Sequence, residues 1–185
     1  MSVLSLIHKP LSDDDLRRIL GNDIKIIVYS KLANFRDLDE LLPKPVDCCI
    51  ILYEEMPRSG HWVGLSKYNG LYEHFDSYGV KVDKELEWLN MRARHSLRQV
   101  EPNLTNLLKR ELDLDGERYI WNKVRYQSKD ESVNTCGSHV SHRLYRLLHD
   151  HMTLDQYHEF MRETKERTGA SYDYIVAEWV RSELL

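Results

Sequence analysis

Residues 60–79 have the sequence GHWVGLSKYNGLYEHFDSYG, and the architecture of the chain can be worked out from this segment. Two strand-like runs, 61–68 and 71–76, flank the dipeptide Asn69-Gly70. Asn-Gly between two such runs is typical of a β-hairpin with a type I′ turn, because that turn needs a positive φ at both central residues. The sequence therefore predicts an antiparallel pair of strands in this part of the chain.

The turn also fixes which residues of the two strands face each other. With a two-residue turn, the numbers of paired residues add up to 139, so Asp76 lies opposite Val63. His61 is on the same face as Val63, and the Cβ atoms of His61 and Asp76 are then roughly 7–8 Å apart or somewhat less. His74 shares this face of the ribbon, and by spacing alone it competes with His61 as the partner of Asp76.

Outside the hairpin, the patterns predict a mixture of strands and helices. Strands are predicted at 23–29, 46–53 and 118–127, and helices at 12–20, 35–42, 82–91, 103–112, 137–148, 153–166 and from 171 onward. The 46–53 run is apolar, which is typical of a central strand buried on both faces. This order predicts an α+β fold: a single compact domain, residues 1–185, with a small mixed central sheet packed by helices.

Composition excludes several classes of protein. With 185 residues, 42% of them hydrophobic, the chain can bury a core, so intrinsic disorder is not expected. A net charge of -4 argues against a protein that mainly coats nucleic acid. No apolar run approaches the roughly 20 residues of a membrane span, so we expect no membrane partner and no secretory signal. Cys48, Cys49 and Cys136 form no disulfide framework, which favours a reducing intracellular compartment.

The second important segment is NTCG, residues 134–137, between a polar loop and an apolar-striped helix. The positive end of a helix favours the thiolate form of a cysteine, and the N–H groups there can face a developing oxyanion. Gly137 allows the substrate backbone to approach closely, and the side-chain amide of Gln127 is a candidate second oxyanion donor. Since a cysteine nucleophile needs a base and the base an orienting group, Cys136 and the hairpin's histidine and aspartate are candidate catalytic residues.

Each of these residues also has a structural interpretation. A lone buried cysteine at the start of a helix usually only packs, Trp62 can belong to the core, and Gln127 can be a surface residue. The spacing of Cys136, His139 and His142 would allow two zinc ligands on one helix face. A structural zinc site normally has four Cys or His ligands in close pairs, so we expect no metal and no cofactor.

Taken together, the motifs resemble the adenain/ubiquitin-like-protease superfamily of cysteine proteases. The matching pieces are GHW at 60–62, FDSYG at 75–79, Gln127 and NTCG at 134–137, in the order that the family uses. The match is closest to the viral and virophage maturation proteases, and it spans about half of the chain.

The resemblance assigns a role to each matching residue. It implies an adenain-like fold with the catalytic Cys136 at a helix N-terminus. His61 would be the general base and Asp76 would orient its ring, which favours His61 over His74. Gln127 would line the oxyanion hole. Substrate would bind at Gly137 and under Trp62, which in this family covers a narrow tunnel that admits small residues.

The function implied by the resemblance is that of a cysteine endopeptidase. It would cleave viral capsid or core precursor proteins during virion maturation, after a small residue such as Gly, through a thioester acyl-enzyme. We would then expect a monomer in the host cytoplasm, at the viral factory, and in the virion. Some relatives use DNA as an activator, which the net charge of -4 does not support here.

Three alternatives stay open at this point. The same triad would serve a deconjugating protease acting on ubiquitin-like proteins, or an acyltransferase. The third alternative is a non-enzymatic binding module in which Cys136 is structural.

Overall fold

A computed structural model of the chain describes residues 2–42, 44–111 and 119–185. Within these residues, five strands form one sheet in chain order. They are β1 (Lys25–Val28), β2 (Cys48–Met56), β3 (Ser59–Tyr68), β4 (Leu71–Phe75) and β5 (Tyr119–Trp121). The sheet is mixed, as predicted: β2, β3 and β4 are antiparallel, whereas β1 runs parallel to β2 and β5 parallel to β4.

The β3–β4 hairpin has the predicted register. Gly64 pairs with Phe75, and Tyr68 pairs with Leu71. Asn69 and Gly70 have φ values of 51° and 77°, which are the left-handed conformations that a type I′ turn requires. The local turn chemistry therefore sets the pairing along the whole ribbon and brings the end of β4 alongside the beginning of β3.

Helices cover both faces of the sheet. The described residues contain α1 (Val3–His8), α2 (Asp13–Leu20), α3 (Leu38–Leu41), α4 (Met91–Ser96), α5 (Asn103–Glu111), α6 (Cys136–Asp150), α7 (Leu154–Thr168) and α8 (Tyr172–Leu184), with 3₁₀ helices at Tyr29–Asn34 and Lys84–Trp88. The N-terminus of α2 has a capping box formed by Ser12 and Asp15, and α7 has one formed by Thr153 and Gln156. These two helix starts were predicted from the same residues.

The burial of β2 explains why its sequence is apolar throughout. Ile50 and Leu52 point into the core formed with α1, α2, α6 and α8, whereas Ile51 and Tyr53 point into a second core with α3 and α5. Successive side chains of a strand point to opposite faces, so a strand covered on both sides needs apolar residues at every position. The prediction of a central strand buried on both faces is confirmed.

Several predicted elements are wrong in extent. The 35–42 helix is reduced to α3, and the 82–91 helix is a 3₁₀ helix that stops before α4 begins. The sequence patterns missed α1 altogether. The predicted ends at Leu112 and Arg118 lie outside the described residues.

The predicted 118–127 strand is the largest error, because the observed strand ends at Trp121. Beyond it, the backbone N–H groups of Tyr126 and Gln127 both donate to the single carbonyl of Ser77, at 2.8 and 3.0 Å. A strand ladder cannot form when two consecutive donors converge on one acceptor. Gln127 therefore lies in a loop before α6 and not at the end of a strand.

Candidate active site

The structure brings His61 and Asp76 together. His61 lies near the start of β3 and Asp76 follows the last residue of β4. The distance from His61 Nε2 to Asp76 Oδ2 is 2.7 Å, and both side chains are buried. The hairpin register alone placed these residues diagonally across the ribbon, and the side chains close the remaining gap. With Nε2 occupied by the carboxylate, Nδ1 is the ring nitrogen left for a thiol.

Cys136 is the first residue of α6, and it is buried beside the same imidazole. It lies close enough to His61 for its thiol to help raise the pKa of the ring. The helix packs against β3, where Gly64 provides the space: a Cβ at Gly64 would stand 3.3 Å from Val140 Cγ1. Because Gly64 has no side chain, α6 can lie close to the sheet, and the N-terminus of α6 reaches His61.

The electrostatics of the site favour a charged imidazole. Burial lowers the pKa of His61, but the charge of Asp76, the hydrogen bond with Asp76 and the nearby Cys136 outweigh burial, so the pKa lies well above its usual 6.5. Burial raises the pKa of Asp76, yet the charge of His61 and the hydrogen bond between them bring it below its usual value. Both shifts favour an imidazolium beside a carboxylate.

Asp76 is held by its own surroundings as well as by His61. Its backbone N–H donates to Asn122 Oδ1 at 2.8 Å, and Asn122 Nδ2 donates back to the carbonyl of Asp76 at 2.6 Å. The backbone N–H of Tyr78 donates to the second carboxylate oxygen, Oδ1, at 2.5 Å. Each side of the carboxylate thus has a fixed partner, and the oxygen facing His61 cannot rotate away without breaking these bonds.

Gln127 lies in the loop between β5 and α6, and its amide orientation is set by two hydrogen bonds. Ser77 Oγ donates to Gln127 Oε1 at 2.7 Å, and Gln127 Nε2 donates to the carbonyl of Val133 at 3.0 Å. An amide nitrogen carries two hydrogens, so one N–H of Gln127 remains for a further acceptor. The side chain is buried, which corrects the alternative in which Gln127 is a surface residue.

Trp62 packs tightly against Gly137, the residue after Cys136. A Cβ at Gly137 would stand 3.1 Å from Leu11 Cβ and 3.2 Å from Trp62 Cδ1. The indole of Trp62 is fixed because its Nε1 donates to the carbonyl of Leu11 at 3.2 Å. Any larger residue at position 137 would have to displace these neighbours, so this position is occupied by the residue that leaves most room.

A carboxylate on α8 ties both sides of Cys136 to the rest of the fold. Asp173 Oδ1 accepts from the hydroxyl of Thr135, the residue before the cysteine, and lies 3.1 Å from Nε2 of His139, one turn after it. Asp173 Oδ2 accepts from the backbone N–H of Ser128 at 3.0 Å. The start of α6 and the loop that leads to it are therefore anchored to one buried acid, which the sequence analysis did not single out.

A second buried pair lies behind Asp76. His74 and Glu85 are both almost fully buried, with His74 Nε2 at 3.7 Å from Glu85 Oε1. Burial lowers the pKa of His74 to about 4, and burial together with the charge of Asp76 raises the pKa of Glu85 well above its usual value. Burial therefore favours the uncharged form of both groups. A glutamate in a charged segment gives no sign in the sequence that it will be buried.

The histidines that follow Cys136 have separate partners. His139 faces Asp173, and His142 Nδ1 lies 2.9 Å from the hydroxyl of Tyr157. Over the residues that the structure describes, no three His, Cys, Asp or Glu side chains form a group able to hold a metal ion. The spacing of residues 136, 139 and 142 on one helix thus reflects three different environments.

Comparison with known proteins gives one informative result. No protein-family model matches the chain. The chain is similar to uncharacterized protein V9 of Sputnik virophage, with 28% identity over 152 residues, covering 82% of each chain. This similarity supports a virophage-related origin. In the described part of the chain, no helix is both long and apolar enough to cross a bilayer.

Proposed function

We propose that the protein is an adenain-like cysteine endopeptidase that cleaves viral capsid or core precursor polypeptides. The observation that carries the proposal is the 2.7 Å bond between His61 and Asp76, with Cys136 next to the same ring at the N-terminus of a 15-residue helix. A nucleophile beside a base that is oriented by a third group is the arrangement used for covalent catalysis. The relationship to a virophage protein agrees with a viral substrate.

In this proposal, the reaction begins from a Cys136 thiolate and a His61 imidazolium. The thiolate attacks the carbonyl carbon of the peptide bond, and the oxyanion accepts hydrogen bonds from the backbone N–H of Cys136 and from Nε2 of Gln127. The imidazolium gives its proton to the leaving amine as the C–N bond breaks, which leaves a thioester. Neutral His61 then takes a proton from the attacking water, the C–S bond breaks, and the carboxylic acid product and the thiolate are released.

The close packing at Gly137 supports a preference for small residues near the scissile bond. Leu11 and Trp62 already fill the space above Gly137, so a substrate residue that approaches Cys136 has to lie beside these two side chains, where a large side chain would clash with them. We therefore place a Gly or similarly small substrate residue under Trp62.

Cleavage of a candidate capsid precursor by the wild type and by Cys136→Ala tests the proposal. We expect the wild type to release defined fragments and Cys136→Ala to release none, while Cys48→Ala, which removes another buried thiol, keeps activity. Gln127→Ala should lose roughly 10²–10³-fold in rate, as is typical when one oxyanion donor is removed. Equal cleavage by the wild type and Cys136→Ala would refute the proposal.

Two further assays separate the remaining functions. Covalent labelling of Cys136 by vinyl-sulfone derivatives of ubiquitin-like proteins would assign the site to deconjugation. If Cys136 only packs, iodoacetamide should modify it no faster than an ordinary thiol at neutral pH. For the proposed enzyme, we expect fast alkylation of Cys136 to persist well below pH 8, because covalent catalysis requires a nucleophilic sulfur beside His61.

A further inference from the structure

One side of the candidate active site opens into a cavity of about 720 Å³, which we call the Trp88 cavity. It is lined by Glu55, Tyr78, Val80, Trp88, Arg125 and Lys129. Two of these residues also enclose the histidine of the site. The ring centroid of His61 is 5.1 Å from that of Tyr78 and 5.2 Å from that of Trp88. A polypeptide segment held in this cavity therefore contacts the two rings that pack on His61.

The lining combines an apolar wall with two basic side chains. Trp88 is 41% exposed although it is a large aromatic residue, and Val80 extends the apolar surface. Arg125 and Lys129 are exposed, and neither has an ion-pair partner among the described residues. Glu55 is the single acid among the described residues that line the cavity, so this lining is net positive in a chain whose net charge is -4.

The position of Arg125 is fixed relative to the candidate triad. The turn after Asp76 packs directly on the backbone of the 124–125 segment: a Cβ at Gly79 would stand 2.9 Å from the carbonyl carbon of Val124. Asn122 holds the same segment, because its Nδ2 donates both to the carbonyl of Asp76 and to that of Val124, at 2.6 and 3.0 Å. Arg125 therefore lies on a backbone segment that is hydrogen-bonded to the turn containing Asp76.

We propose that the Trp88 cavity binds an acidic residue of the substrate polypeptide, next to an apolar residue that packs on Trp88. This inference rests on the proposed function and adds a charge requirement to it. Unpaired cations in a net acidic protein attract an acidic segment to this place, while the remaining surface repels it. Arg125 and Lys129 are then specificity-determining residues on one side of the scissile bond.

The experiment is cleavage-site mapping with a peptide library produced by chymotrypsin, which leaves acidic and basic residues inside the peptides. The wild type is compared with the double variant Arg125→Glu/Lys129→Glu. We expect Asp and Glu to be enriched on one side of the bonds that the wild type cleaves, and Lys and Arg at the same positions for the variant.

The size of the effect follows from two solvent-exposed ion pairs. Each such pair contributes roughly 1.4- to 5-fold, and reversal replaces attraction by repulsion. For two synthetic peptides that differ only by Glu or Lys at the enriched position, the ratio of their kcat/KM values should therefore change by about 10-fold or more. The preference of the wild type for the Glu peptide should weaken at high salt, because exposed charges are screened.

The control is the double variant Lys31→Glu/Arg167→Glu, which makes the same charge change at two exposed basic residues that do not line the cavity. It should retain the wild-type cleavage pattern. If the wild type cleaves without acidic enrichment, or if both double variants change the pattern equally, the inference is wrong while the endopeptidase proposal stands. Loss of oligonucleotide binding in the cavity variant, with an unchanged cleavage pattern, would assign the cavity to nucleic acid and overturn the inference. Absence of Cys136-dependent cleavage would overturn both proposals.

Discussion

The ion pair and the hydrogen bonds of Arg143 should determine both the stability of the fold and the position of α6. This side chain is fully buried, and its Nε and Nη2 donate to the two carboxylate oxygens of Glu73 on β4, each at 2.7 Å. Its Nη1 donates to the carbonyl of Met152 at 2.8 Å, and its guanidinium lies 5.2 Å from the ring centroid of Tyr157. Arg143 therefore links α6, which begins at Cys136, to the hairpin that contains His61.

The substitution Arg143→Met should lower the free energy of unfolding by about 3–5 kcal/mol, the usual cost of breaking a buried ion pair from one side. Most of this loss arises because the carboxylate of Glu73 would remain buried without its cation. The double variant Glu73→Met/Arg143→Met removes that charge and fills the volume, so it should lie within about 2 kcal/mol of the wild type. Its residual loss comes from the carbonyl of Met152, which no longer receives a donor.

Urea unfolding of the wild type, Arg143→Met and the double variant at pH 7 measures these differences. Arg162→Met is the control, since Arg162 pairs with Glu159 and Glu166 on the exposed surface of α7 and its substitution should change the urea midpoint far less than Arg143→Met does. A loss below about 1 kcal/mol for Arg143→Met, or a double variant less stable than Arg143→Met, would refute the reasoning.

Three further substitutions test the surroundings of the site. Asp76→Asn should lower the free energy of unfolding most between about pH 4 and 6.5, and this loss should shrink as the pH rises through the raised pKa of His61. A loss of unfolding free energy that does not depend on pH, measured by urea unfolding, would contradict the charged pair. Gly137→Ala should lose about 1–3 kcal/mol through overpacking, measured by thermal unfolding; an unchanged Tm would show that Leu11 and Trp62 pack more loosely around this position. Asp173→Asn should lose about 1–3 kcal/mol, since one amide oxygen cannot accept all three bonds of the carboxylate; an unchanged urea midpoint would contradict this.

Local rules predicted the part of the site that lies on the hairpin. The Asn69-Gly70 turn determines the register, and the register places His61 and Asp76 within reach of each other. Both steps depend only on residues that are close in sequence. Helix capping is local in the same way, and for this reason the starts of α2 and α7 were found.

The parts that were missed depend on contacts between distant residues. The loop after β5 leaves the sheet because Asn122 and two later N–H groups bond the turn at Asp76 and Ser77, nearly 50 positions earlier. Glu85 and Asp173 are acidic residues in segments that look exposed, and only the packing of other elements buries them. No periodicity of a single segment contains this information.

The distribution of buried polar groups bears on the choice between an enzyme and a passive module. The side of α6 that follows Cys136 buries two histidines and an arginine, and the turn after β4 buries Asp76 and Ser77 together with Asn122, which bonds Asp76. Burying such groups costs free energy even when they are bonded, and apolar residues of the same volume would stabilise a fold equally well or better. The buried polar groups that lie next to His61 and Cys136, among them Asp76 and the Asp173 that bonds Thr135, are a departure from apolar packing that is usual at functional sites. The network favours a reactive Cys136 over one that merely fills space, and the iodoacetamide rate below pH 8 decides between the two.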